Sequence, residues 1–369
     1  MTVDIFNDNK HVNFPWLKER TILLTKHGSH AYGLNTETSD LDMKGVTIAP
    51  INHYLGFTNT FEQAEGHADD KSYEYVIFEL KKFFKLAADC NPNVIEILYT
   101  DDSDLLFLSP VGKKLRENRD LFLSRKAKHT FSGYAMSQLK RIRGHRAWLL
   151  DPPKAAPTRS EFNLPERTVV PADQLMAATA QITKQLDRWE FKDLELLDAS
   201  VRIPVMEAMA ETLAEIKLGA DEKFRAAGRV LGFSDNFLEI LEAERKYKSR
   251  QTEWAQYQNW KATRNPARAE LEAKHLYDVK HGMHLVRLMR MCGEILTTGK
   301  VHVKRTEDRD ELKAIRAGEW SYDRLVEWAE KIDKSLETVY KESKLPHAPD
   351  REKLDRLCIE LVQEINETK

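Results

Sequence analysis

A short apolar run, TILLTK, leads into Gly28–Ser29, and ten residues later two aspartates stand at alternate positions, Asp40 and Asp42, before a second alternating run, DMKGVTIAP. On a β-strand, side chains two apart share a face, so this spacing brings both carboxylates to one point. Two carboxylates held together repel unless a cation shares them. Mg²⁺ accepts oxygen ligands of this kind and binds phosphate oxygens as well. A third acid on a neighbouring strand would complete a two-metal arrangement. Glu74, between Tyr73 and Tyr75 in SYEYVI, is the expected third, with Asp69, Asp70 and Glu79 as rivals and Glu79 expected on the following helix. Gly28 lets backbone come close to phosphate, and Ser29 can donate its hydroxyl and amide. A Gly-Ser turn or an Asp-x-Asp pair alone is a common surface feature; their combination points to metal-assisted phosphate chemistry.

The pattern around this passage predicts an α+β fold. Strands are expected at TILLTKHGS, DMKGVTIAP and KSYEYVI, followed by helices at FELKKFFKLAADC and NPNVIEILY. Past about residue 110, three- and four-residue spacing of apolar positions takes over, as in DQLMAATAQITKQLDRWEFKDLELLDAS, PVMEAMAETLAEIKLGADEKFRAAGRVL and SYDRLVEWAEKIDKSLETVYKES. The stretch DPPKAAPTRSEFNLP carries four prolines and reads as a loop. The expected division is a small mixed-sheet catalytic domain, 1–108, and a large helical domain, 109–369, that binds nucleotide and acceptor.

Charge is segregated. The chain has a net charge of −2, yet residues 124–146 hold seven Lys or Arg and no acid, and residues 245–290 hold eleven against four acids. Such stretches suit a polyanion, RNA in particular. In KHLYDVKHGMHLVRLMR, Lys280, His284 and Arg287 fall at steps of four and three and share a helix face, with Lys274 and His281 on adjoining faces. Tyr134, Gln138, Arg141 and His145 repeat the device upstream. Tyr247, Trp254, Tyr257 and Trp260 alternate with Lys and Arg, a pattern that serves base stacking or inter-helix packing. The three cysteines are scattered through apolar segments, which predicts reduced buried thiols and no zinc site. No run approaches the roughly eighteen apolar residues of a membrane span, and the polar N-terminus carries no leader, so a cytoplasmic location is expected.

The GS, ten-residue gap and DLD of residues 28–42 resemble the signature of the DNA polymerase β-like nucleotidyltransferase superfamily. More of the chain is similar to one branch, the predicted nucleotidyltransferases of bacteria and large phages. The similar blocks are GSHAYGLNTETSDLDMKGV, NPNVIEILY, FSGYAMSQLKRI, YDVKHGMHLVRLMRMCGEIL and AIRAGEW, spread between about residues 20 and 350. The resemblance implies transfer of a nucleoside monophosphate from an NTP, ATP being the expected one, with release of pyrophosphate. It implies Mg²⁺ or Mn²⁺ held by Asp40, Asp42 and Glu74, and phosphate contacts at Gly28 and Ser29; the third acid is Glu here where the pattern leads one to expect Asp. Tyr134, Lys280, His284 and Arg287 are the candidate nucleotide contacts outside the first domain. An RNA or tRNA 3′ end is the expected acceptor. A protein Ser, Thr or Tyr hydroxyl is the alternative, and an inactive nucleotide-binding scaffold a second.

Overall fold

The computed structural model describes residues 5–7, 14–58, 60–70, 72–168, 170–189, 220–264 and 266–367. Helical expectations for 190–200 and 204–219 lie outside these residues.

The first hundred residues build a five-stranded mixed sheet in the order β3-β4-β2-β1-β5. Its strands are β1 (Thr21–His27), β2 (Leu41–Thr47), β3 (Gln63–His67), β4 (Tyr73–Glu79) and β5 (Leu105–Leu108). β1, β2 and β4 are the strands the apolar alternation predicts. β3 and β5 flank the sheet; β3 is polar and β5 is four residues long, so neither shows the pattern of a half-buried strand. β2 runs parallel to β4 and antiparallel to β1.

One sheet face packs on α2 (Leu80–Ala88) and α3 (Pro92–Tyr99), through Leu23, Val46, Phe83, Ile95 and Leu98. The other face buries Leu24, Met43, Tyr75 and Ile77 beneath Phe14, Trp16 and Phe61. Glu79 ends β4 and caps α2, its carboxylate accepting from the Lys82 backbone amide at 3.1 Å and from Tyr54 Oη at 2.6 Å. It is therefore the junction of strand and helix, 6% exposed, rather than a solvated helix residue.

By packing, the chain falls into two compact units: Met1–Leu150 with Pro266–Lys369, and Asp151–Asn265. In the first, α5 (Gly133–Leu150), α10 (Val279–Thr298) and α12 (Tyr322–Glu342) join the core that covers α2 and α3. α10 is buried along most of its length, with Arg287 enclosed among its apolar residues. The second unit has its own small core of Ala178, Ile182, Phe224, Ala227, Leu238 and Leu241, drawn from α6 (Ala172–Trp189), α7 (Ala220–Val230) and α8 (Asp235–Thr263). The prolyl stretch before α6 holds one short helical turn, Arg159–Phe162. The three cysteines are buried free thiols, as expected. Among the described residues no helix is long and apolar enough to cross a membrane.

A buried charge fastens the helices to the sheet. Glu96 on α3 is 1% exposed and accepts from Arg287 Nη1 on α10 at 2.5 Å and from Tyr32 Oη at 2.6 Å. The Arg287 guanidinium also lies 3.6 Å from the Tyr32 ring centroid. Burial alone would raise the Glu96 pKa; Arg287, His27 and Tyr32 outweigh it and hold it lowered. His27, at the end of β1, is buried 3.5 Å from the same carboxylate. Burial and the charges of Lys44 and Arg287 depress its pKa to about 3 against the pull of Glu96, so its ring is neutral.

Arg287→Met should lower the unfolding free energy by about 3–5 kcal/mol in urea titrations, because it strands a buried carboxylate. Combining it with Glu96→Gln should recover part of that loss, whereas full additivity would show the two are not coupled. For His27 the unfolded chain takes up a proton below about pH 6.5 and the folded one only near pH 3, so stability must fall as pH falls through that window. His27→Gln should flatten the loss between pH 7 and 5, and an unchanged slope would place the titration elsewhere.

Candidate active site

Register decides what faces what. Asp42 on β2 is the Cα partner of Glu74 on β4 in the parallel pair and of His27 on β1 in the antiparallel pair. Residue 28, one step past His27, therefore passes directly over the Asp42 side chain. Gly28 lies at φ +60°, and a Cβ on it would fall 1.9 Å from Asp42 Oδ2. Only glycine meets both demands. Gly28 opens α1 (Gly28–Tyr32), which includes Ser29 and ends at Gly33 in the left-handed conformation. The carbonyls that follow are held by the far end of the chain: the Arg305 amide donates to Tyr32 O at 3.0 Å, Arg309 Nε to Gly33 O at 2.9 Å, and Arg316 Nη1 to Leu34 O at 2.7 Å.

Asp42 and Glu74 are close enough to share a hydrogen bond. Burial, that bond, and the charges of Asp40 and Glu74 push the Asp42 pKa up to about 7, with Lys280 pulling the other way. Asp40 sits one residue before β2, exposed, and acts on Asp42 through its charge. Carboxyls gathered until they must share a proton form an arrangement that a divalent cation relieves. The donor set is all oxygen, which suits Mg²⁺ or Mn²⁺.

Lys280, near the start of α10, lies within electrostatic reach of Asp42 and lowers its pKa. Lys280, His284 and Arg287 line a cavity of about 190 Å³ together with Tyr134, Gln138 and Arg141 of α5, so two faces predicted separately meet. Their states differ. His284 is driven well below its usual pKa by burial and by Arg287 and Lys280, so it lines the cavity as a neutral ring. Arg287 is spent on Glu96. Arg141 Nη1 lies 3.5 Å from His281 Nε2, and Tyr134 is 41% exposed.

Three neighbours escaped the sequence reading. Lys44, two residues beyond Asp42 and so on the same strand face, donates to Asn93 Oδ1 at 3.4 Å and feels Glu96, Asp42 and Glu74. Its spacing was the available signal. Asn93 also lines the cavity, and Glu96 lies one helical turn further along α3. In the second unit, the aromatics of α8 are engaged with protein. Tyr257 is buried, with Trp254 and Trp260 rings at 5.9 and 6.0 Å, and Tyr247 meets Phe162 and Arg159.

A mixed sheet that sets paired carboxylates on adjacent parallel strands under a glycine turn is the arrangement that a resemblance to polymerase β-like nucleotidyltransferases leads one to expect. Residues 3–150 match the family model described as RlaP, the RNA repair pathway DNA polymerase beta family, and over this part the chain is similar to that family. The match ends where the second compact unit begins. The chain is also 29% identical over 138 residues to an uncharacterized 38.9 kDa protein in the nrdC-mobD intergenic region of Enterobacteria phage T4. That alignment covers 34% of this chain and 40% of the phage protein, well under two thirds of the relative's length.

Asp42→Asn separates metal binding from folding. With chelator at pH 8 the ionised Asp42 opposes its neighbours, so the variant should melt about 2–4 °C above wild type. Added Mg²⁺ should raise the wild-type midpoint and leave the variant's unmoved. An equal Mg²⁺ shift in both would remove Asp42 from the ligand set.

Proposed function

We propose that this chain transfers a nucleoside monophosphate from an NTP, ATP being the expected one, to the 3′ hydroxyl of an RNA such as tRNA. Pyrophosphate is released, and Mg²⁺ or Mn²⁺ is required. The observation that carries this reading is the Asp42–Glu74 pair lying under a glycine whose missing side chain leaves the carboxylate open. Divalent ions at such a site neutralise phosphate charge and make the attacking hydroxyl more acidic. Asp42, Glu74 and Asp40 would hold them. Gly28 and Ser29 give the phosphates a backbone with no intervening side chain. Lys280, already within electrostatic reach of Asp42, holds the triphosphate, and Arg141 and Tyr134 offer a cation and a ring at the cavity wall. His284 and Arg287 shape the cavity from behind. The hydroxyl oxygen attacks the α-phosphorus, the bond to the bridging oxygen breaks, and the hydroxyl proton passes to a carboxylate of the cluster or to water.

RNA is favoured as acceptor by the basic stretch 124–146, which supplies Arg141 to the cavity, and by the RNA repair pathway named in the family's description. Incubation with each labelled NTP, total RNA and lysate protein should put label on RNA. Asp42→Asn should cut pyrophosphate release by about a thousandfold or more while leaving the circular dichroism spectrum intact. Equal release by both proteins would sink the assignment, and label on protein bands would move the acceptor to a side-chain hydroxyl.

A further inference from the structure

Away from the sheet, a second set of ligand side chains converges. His145 near the end of α5, Glu272 on α9 (Pro266–His275) and Asp278 at the N-cap of α10 each place one ligand atom within 4.8 Å of the other two. We propose that these residues bind one divalent transition-metal ion, separate from the ions of nucleotidyl transfer, which staples the two ends of the inserted segment 151–265.

The first support is an inversion of the usual burial order. Among the described side chains of α9, Glu272 is the buried one, at 4% exposure, while Leu271 beside it is 40% exposed. Asp278 is 3% exposed. Two carboxylates and an imidazole whose ligand atoms all lie within 4.8 Å of one another form a donor set that a divalent cation can share. The donor set narrows the class. An imidazole nitrogen with two carboxylates suits Zn²⁺, Mn²⁺, Fe²⁺ or Co²⁺ and disfavours Mg²⁺ and Ca²⁺, which prefer oxygen alone. Bonds of roughly 2.0–2.2 Å set ligand atoms about 3–4.4 Å apart, within a small side-chain rotation of what is seen.

The surroundings fit as well. Asp278 accepts from the His281 amide at 3.0 Å and pairs with His281 Nδ1 at 2.5 Å. Such contacts orient a ligating carboxylate and leave it lone pairs for an ion. The position has a purpose. The chain leaves its first compact unit after Leu150 and returns at Pro266, so His145 and Glu272 stand just inside those two points, and Asp278 adds α10. Closing the stem of a long insertion limits its freedom at little structural cost. Through His281 the same ion would steady Arg141 at the cavity wall.

The test uses the full chain carrying Asp42→Asn and Glu74→Gln, which removes the sheet carboxylates from the count. After chelation and dialysis it should bind about one Co²⁺ per chain, with visible d–d absorption, and Zn²⁺ should displace it where millimolar Mg²⁺ does not. Adding His145→Ala, or separately Glu272→Gln, should weaken Co²⁺ binding at least tenfold and abolish the Zn²⁺-dependent rise in melting temperature, with the circular dichroism spectrum unchanged. The proposal is overturned if the double variant binds no Co²⁺, or if both added substitutions leave its affinity within twofold.

Discussion

The structure turns on one buried negative charge. Glu96 lies between strand and helix where water cannot reach it; Arg287 from α10 pairs its charge, Tyr32 from α1 donates a hydrogen bond to it, and the neutral His27 of β1 packs beside it. An isolated carboxylate in that position would cost several kcal/mol, so the partners are obligatory. Their joint effect is geometric. Arg287 fixes α10 against α3, and Lys280, seven residues or two turns earlier on the same helix, lies where its charge lowers the Asp42 pKa. Tyr32 fixes the end of α1, and so the turn that begins at Gly28.

Depth separates side chains that a helical wheel makes equivalent. Lys280, His284 and Arg287 lie on one stripe, yet burial treats them differently: Lys280 is half-buried, His284 is held as a neutral ring, and Arg287 is buried against Glu96. Going inward, the imidazole loses its proton because burial and two flanking cations oppose it, and the guanidinium keeps its charge by pairing. The same physics acts on the acids. Asp40 before the strand stays in water, whereas Asp42, partly enclosed and against Glu74, cannot hold a full charge at neutral pH without help.

Much of the catalytic module was legible because its information is local. Alternation marks β1, β2 and β4 and places Asp42 on β2, Asp40 falls one residue short of that strand, and Gly28 stands where only glycine can. The partnership of Asp42 with Glu74 needed one non-local fact, the parallel register of β2 and β4, which no window of sequence contains. β3 and β5 were hidden because edge strands need little apolar alternation. Glu96 read as an ordinary polar position within NPNVIEILY, since a buried charge announces itself only through partners distant in sequence, here Tyr32 and Arg287 at separations of 64 and 191 residues. The two cationic helix faces were each visible, but their meeting around one cavity follows from helix packing.

The catalytic sheet ends near residue 108, yet the physical unit does not. After Gly33 turns into the left-handed region, the carbonyls of Tyr32, Gly33 and Leu34 face donors from Arg305, Arg309 and Arg316. Unpaired polar groups at that turn would each cost about 1–3 kcal/mol, and Glu96 without Arg287 would cost more. A fragment of the first 108 residues would retain its carboxylates and lose what holds the glycine turn above them. Residues 287–316 therefore belong to the same physical unit as Asp42, because they fix the backbone against which its carboxylate is held.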